Sequence, residues 1–269
     1  MLPILTAMRP HQWYKNLVLF AGLIFAENLF VPSLLVKAGG AFLIFCLISG
    51  AGYIINDITD KPTDAQHPHK SKRPIASGAL SSSSALMISV LLATIGNGAA
   101  FLLSFEFGLL TVSYSVLTIV YSLFLKKIVL IDVITISVGF VIRAVAGAVV
   151  IHVYISPWLI LCAFMLALFL ALCKRKQDKS PLYESHRLDQ LLTITTALVI
   201  MSYSLYTFLR ATQEMMVTIP LVLYGLFRFL QVSEGEGPAR AELLFSDKGL
   251  FLTFVLWIFL VVIIVYVWE

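Results

Sequence analysis

The run Asn56-Asp57-Ile58-Thr59-Asp60-Lys61-Pro62-Thr63-Asp64, continued by His67-Pro68-His69-Lys70-Ser71-Lys72-Arg73-Pro74, is a polar interruption in an otherwise apolar chain. The chain carries only 15 Asp and Glu, so three carboxylates in one short stretch need a cause. Spacings of three and four place side chains on one helical face. Like charges on one face repel, so the array is unfavourable without a compensating cation. Hard oxygen ligands suit Mg²⁺, which keeps several waters and is commonly shared with substrate phosphates. Asp57, Asp60 and Asp64 are therefore the expected metal set. Lys70 and Arg73 follow closely and can help to hold a diphosphate, the arginine by a bidentate clamp. Pro62 disfavours helical geometry at Lys61, so a break is expected inside the array. That break loosens the tie of Asp64 to the face of Asp57 and Asp60. The competing explanation is a solvated acidic loop between two membrane helices.

The surrounding composition decides the fold class. The 269 residues are 59% hydrophobic and 13% charged, with mean hydropathy +0.94. A soluble domain carries about twice that share of charge. Apolar runs of about 20 residues recur from end to end, the length needed to cross a bilayer. The expectation is an all-α polytopic membrane protein, one domain over residues 1–269, with about nine transmembrane helices. Met1 to Asn16 is polar and basic and is not expected to be a cleavable signal peptide. Cys46, Cys162 and Cys173 lie in or at the end of apolar runs, without zinc-type spacing, and read as packing residues.

The helices are expected at about Leu17–Phe30, Gly39–Asp57, Ala85–Leu103, Gly108–Leu125, Val129–His152, Pro157–Cys173, Gln190–Leu209, Met215–Leu230 and Gly249–Trp268. Ser81 to Ser84 offers N-caps for the third. Gly235, Gly237 and Pro238 make the loop from Gln231 to Lys248 turn-rich. On this map sixteen of the 19 Lys and Arg fall on the side of the N-terminus. Lys37 and Arg210 fall on the other side, and Arg143 lies inside a helix. Such bias puts the N-terminus and the acidic array on the cytoplasmic side. The same bias, with anionic lipid, explains most of these cations without any function.

Arg143 and Asp132 are different, because an ionisable group at membrane depth is costly and points to function or to a structural ion pair. Eleven positions apart on one helix they are about three turns from each other, so each needs partners on other helices.

Asn56-Asp57-x-x-Asp60-x-x-x-Asp64 after a second membrane helix resembles the first aspartate motif of the intramembrane prenyltransferase (UbiA) superfamily. That resemblance implies nine helices around a central cavity open to the cytoplasmic face, with acidic motifs after helices two and six. The second motif departs from the pattern: here the run is Lys174-Arg175-Lys176-Gln177-Asp178, with three cations and one acid. A basic run at this place is similar to the branch that transfers phosphoribosyl groups to polyprenyl phosphates. Further stretches resemble that branch: Arg9-Pro10-x-Gln12-Trp13-x-Lys15-Asn16, His67-Pro68-x-Lys70-x-x-Arg73-Pro74-Ile75-Ala76-Ser77-Gly78, Tyr121-Ser122-x-x-Leu125-Lys126 and Gly139-Phe140-Val141-Ile142-Arg143-Ala144-x-Ala146-Gly147. Phe227-Arg228-Phe229 and Glu242-Leu243-Leu244-Phe245-Ser246-Asp247 add weaker similarity.

The resemblance implies Mg²⁺-dependent transfer of 5-phosphoribosyl from phosphoribosyl pyrophosphate to a membrane polyprenyl phosphate, a step toward a lipid-linked pentose donor for cell-envelope glycans. Asp57, Asp60 and Asn56 are the expected catalytic residues. Lys15, Lys70, Arg73, Tyr121, Lys126, Arg143, Lys174, Arg175 and Asp178 are the expected substrate contacts. The expected setting is a bacterial-type inner membrane. The partners are the two substrates and the bilayer, with no nucleic acid, and a homo-oligomer is left open. Two other functions compete. An aromatic prenyltransferase using an allylic diphosphate needs the same metal chemistry, but the missing second acidic motif argues against it. A small transporter is the other, but its site is expected near midplane, between repeated halves.

Overall fold

The computed structural model describes residues 2–178, 180, 182–209, 211–233, 244 and 246–267. Its α-helices are α1 (Pro3–Met8), α2 (Ala21–Phe25), α3 (Pro32–Thr59), α4 (Lys61–Ala65), α5 (Ser82–Leu103), α6 (Phe105–Leu123), α7 (Ile131–Val150), α8 (Pro157–Gln177), α9 (Ser185–Leu209), α10 (Ile219–Ser233) and α11 (Lys248–Val267). Short 3₁₀ helices join several of them, among them Pro10–Phe20, Lys70–Lys72, Leu125–Lys127 and Gln213–Thr218. No strand occurs among the described residues. The turn-rich loop expected between Gln231 and Lys248 lies largely outside them.

Eight described helices are long and apolar enough to cross a bilayer. The first expected span is the exception. Leu17 to Phe30 is built from the end of the 3₁₀ helix Pro10–Phe20 and from α2, and Glu27 turns to φ 59° just beyond. A reason lies in the packing: the backbone of Leu19 presses so closely on Gly147 of α7 that no Cβ could fit there. Lys37, expected in a loop, lies in the opening turns of α3.

Helix α5 shows how such a chain faces lipid. Ala85, Ser89, Gly96 and Ala100 are its buried positions. Leu86, Met87, Val90, Leu91, Ile95 and Leu102 are exposed. Small residues inward and large apolar ones outward is the arrangement of a helix packed closely on one side and bathed in hydrocarbon on the other. Ser81 caps it as expected, accepting the backbone N–H of Ser84 at 3.1 Å.

The contacts group the chain into two units. The first holds Met1–Thr135 with Ile142–Tyr154, and the second Ile136–Val141 with Ile155–Glu269. In the first, Leu19, Leu23, Ile44, Phe45, Phe107 and Tyr114 share one core, and Met8, Ile54, Ile75 and Ala85 share another. In the second, Trp257 Nε1 donates to the Tyr203 hydroxyl (2.9 Å), which pairs with Thr218 Oγ1 (2.6 Å). Such a closed chain of buried hydroxyls leaves few polar groups unsatisfied.

Candidate active site

Helix α3 carries Tyr53, Asn56 and Asp57 through its last turns and ends at Thr59. Helix α4 restarts at Lys61, with Pro62 in its first turn. A proline is tolerated there because the first N–H groups of a helix have no internal partner. The break is therefore only one residue long. Asp60 stays in right-handed helical geometry (φ −90°, ψ −1°), and its carbonyl accepts from Asp64 N at 2.8 Å. The helical face survives the proline, and Asp64 joins Asp57 instead of leaving it.

What joins them is an arginine. Arg73 Nη1 donates to Asp57 Oδ1 at 3.1 Å and to Asp64 Oδ2 at 2.6 Å. Both carboxylates are buried. Arg73 is held in place from behind: Ile75 is fully buried against Met8, Ile54 and Ala85, and Gly78 turns the chain back at φ 80°, a conformation that suits glycine.

A second arginine meets the same carboxylate. Arg9 pairs with Asp57 Oδ1, and its guanidinium lies over the Tyr53 ring, 5.3 Å from the centroid. Tyr53 and Asp57 are one turn apart on α3, so one guanidinium spans both. Arg9 was not among the site residues expected from sequence. Its signal was the Arg9-Pro10-x-Gln12-Trp13 stretch, noted there only for likeness.

Asp60 turns to a different partner. Lys126 Nζ, on the turn after α6, donates to Asp60 Oδ1 (2.5 Å), Thr59 Oγ1 (3.0 Å) and Asn56 Oδ1 (3.2 Å). Those three bonds use all three protons of the ammonium. Asn56 Nδ2 in turn donates to Asp60 Oδ2 at 2.9 Å. Three aspartates thus meet three cations drawn from three separate stretches of chain.

The other expected residues take varied places. Lys70 is exposed, and no hydrogen bond or ion pair joins its side chain to the aspartates. Lys15 is half-buried and donates to Gln12 Oε1 at 2.8 Å. Tyr121 is half-buried on α6. Arg143 is buried, with Nη2 2.5 Å from the Tyr114 hydroxyl and the guanidinium 4.8 Å from that ring's centroid. Its partner is on another helix, as the spacing from Asp132 required. Lys174, Arg175 and Asp178 are at the C-terminal end of α8 in the second unit.

The donor chemistry of the cluster fits a divalent cation. Its oxygens are hard, and the point between Asp57 and Asp64 already stabilises positive charge, because Arg73 Nη1 occupies it. No three His, Cys, Asp or Glu among the described residues converge on a common point as a ready-made metal set. The aspartates converge on cationic side chains.

Apolar helices of membrane length thus carry, at the end of α3, a part-buried cluster of carboxylates and cations. The UbiA prenyltransferase family matches residues 16–255. The chain belongs to that family and is an integral membrane protein. It is 31% identical to the decaprenyl-phosphate phosphoribosyltransferase of Corynebacterium glutamicum, over 98% of this chain and 87% of that one. It is also 31% identical to the enzyme of the same name from Mycolicibacterium smegmatis, over 84% of this chain and 70% of the other. Among solved structures, a UbiA homologue from Archaeoglobus fulgidus bound to DMAPP and Mg²⁺ superimposes with TM-score 0.78 at 18% identity, over 96% of this chain and 98% of that one. The same homologue bound to GPP and Mg²⁺ gives 0.77 at 18% identity, over 98% and 99%.

Proposed function

We propose that the protein transfers the 5-phosphoribosyl group of phosphoribosyl pyrophosphate to a membrane polyprenyl phosphate, as a step toward a lipid-linked pentose donor for cell-envelope glycans. The observation that carries this reading is the balanced cluster of Asp57, Asp60 and Asp64 with Arg9, Arg73 and Lys126. The near full-length likeness to decaprenyl-phosphate phosphoribosyltransferases supports the choice of donor.

In this reaction a phosphate oxygen of the lipid forms a bond to the anomeric carbon of the ribose. The bond from that carbon to pyrophosphate breaks, and pyrophosphate leaves with the electron pair. The acceptor oxygen is already anionic, so no strong general base is needed. The difficulty is the charge that builds on the leaving group, and positive groups aimed there lower the barrier. Asp57, Asp60 and Asp64 would hold Mg²⁺, which when bound neutralises pyrophosphate. Arg73 brings a cationic donor to the phosphates, and Lys126 adds positive charge beside them while it holds Asn56, Thr59 and Asp60 in place. Asn56 fixes the Asp60 carboxylate through its amide. Lys15, on the 3₁₀ helix Pro10–Phe20, is suited to the lipid phosphate.

The charge asymmetry supports a cytoplasmic N-terminus and a cytoplasm-facing cluster in a bacterial-type inner membrane. The deciding experiment incubates purified protein and polyprenyl phosphate with labelled phosphoribosyl pyrophosphate or with a labelled allylic diphosphate plus an aromatic acceptor, each with and without Mg²⁺. Label is expected in the lipid fraction only from phosphoribosyl pyrophosphate with Mg²⁺. Labelling from the allylic donor instead makes the protein an aromatic prenyltransferase.

A further inference from the structure

We infer that Arg73 is the resident counter-ion of the Asp57–Asp64 pair, so that a divalent cation and a diphosphate bind this site as a coupled pair, each weakly without the other. The inference rests on the diphosphate chemistry proposed above and adds a coupling between the two ligands and a residue that imposes it. A single nitrogen, Arg73 Nη1, lies 3.1 Å from Asp57 Oδ1 and 2.6 Å from Asp64 Oδ2, where a bridging cation would be most favourable. The cluster is already neutral, with three acids against three bases. A bare divalent ion must therefore displace a guanidinium and leave it unpaired beside two new positive charges. Like charges so close disfavour that state. A diphosphate arriving with the ion removes the penalty, because it gives the displaced guanidinium a planar, bidentate acceptor.

Arg73 is better suited to this exchange than its neighbours. Arg9 lies over the Tyr53 ring, and its side chain is 15% exposed against 26% for Arg73. Lys126 spends its three protons on Asn56, Thr59 and Asp60. Among the described residues, the hydrogen bonds of the Arg73 side chain go to Asp57 and Asp64, two of the carboxylates that the ion would take. Its backbone is anchored by the fully buried Ile75, so the side chain can swing while the loop stays in place.

Two binding measurements on purified full-length protein test this without turnover. Mn²⁺ is titrated by electron paramagnetic resonance with no anion present, and labelled inorganic pyrophosphate is measured by equilibrium dialysis with and without Mg²⁺. Wild type is expected to bind Mn²⁺ alone weakly and to bind pyrophosphate only with Mg²⁺. Arg73→Gln is expected to move the two affinities in opposite directions: Mn²⁺ tighter by about tenfold or more, Mg²⁺-dependent pyrophosphate weaker by a similar factor. A merely structural lesion weakens both and overturns the inference. The wild-type protein alone also decides the matter if the variant fails to fold. Tight Mn²⁺ binding without anion, alongside Mg²⁺-dependent pyrophosphate binding, overturns the coupling and leaves the proposed function standing. No pyrophosphate binding in any arm overturns both.

Discussion

The two units use charge in opposite ways. In the first, Asp57 and Asp64 are buried; Arg73 closes both, and Arg9, 48 positions away, also meets Asp57. In the second, Lys176 pairs with Asp189 at 2.8 Å and Arg228 with Asp247 at 2.7 Å, and neither pair has a carboxylate as buried as Asp57 or Asp64. Exposed ion pairs are worth about 0–1 kcal/mol, whereas breaking a buried one strands a charge and costs about 3–5 kcal/mol. Charge density alone is therefore a poor guide to a site: α8 ends in as many cations as the cluster contains. What marks the first unit is that carboxylates are buried together against repulsion, which a folded chain tolerates only where partners or ligands compensate.

The largest expected effect follows from that difference. Asp57→Asn keeps the shape but leaves Arg9 and Arg73 around a neutral amide. Turnover is expected to fall at least about a hundredfold while the protein remains helical by circular dichroism. Near-normal rates at saturating Mg²⁺ would break the contrast between the units, because the buried cluster would then be only structural. Lys126→Ala comes next. It removes the partner shared by Asn56, Thr59 and Asp60, and an approximately tenfold loss in kcat/KM for phosphoribosyl pyrophosphate is expected, together with a lower Tm. A lower Tm with unchanged kcat/KM would make Lys126 a strut.

The sequence made the acidic array, its break at Pro62 and the later spans legible, because apolar runs, caps and prolines act locally. Two things were hidden. The one-residue break still carries the helical face across to Asp64, and that depends on Asp60 keeping helical angles. The pairing of Arg9 with Asp57 joins positions 48 apart in sequence, and no local rule predicts such a contact. The mixed 3₁₀ and α-helical form of the first span was hidden for a related reason. Apolarity over Leu17–Phe30 says nothing of the close approach of Leu19 to Gly147, which is a tertiary contact.

The second unit carries its own test. Phosphoribosyl pyrophosphate carries a 5-phosphate in addition to its diphosphate, and the α8 run offers Lys174 and Arg175. Arg175→Ala is expected to raise the apparent KM for phosphoribosyl pyrophosphate about fivefold and to leave that for polyprenyl phosphate unchanged. A change confined to the lipid substrate, or none, returns the run to its role in setting topology.

The smallest effect concerns Asp247, whose carboxyl is held below the usual carboxylate range by the hydrogen bonds from Arg228 and then from the Leu250 N–H. A group whose pKa is lowered by folding stabilises the protein above its unfolded value, about 4, and that contribution is lost as pH falls through the lower folded value. The pair is at a solvent-facing edge of the second unit, so the effect is small. Asp247→Asn is expected to lower Tm by at most about 2 °C at pH 7, and the difference from wild type should shrink as pH approaches 3. Activity per folded molecule at pH 7 should be unchanged. A gap in Tm that stays constant down to pH 3 would assign it to the backbone cap at Leu250, which an asparagine also serves differently from a carboxylate at every pH. A large loss of activity would instead place Asp247 with the buried aspartates of the first unit in importance, and the contrast between the units would no longer rest on burial.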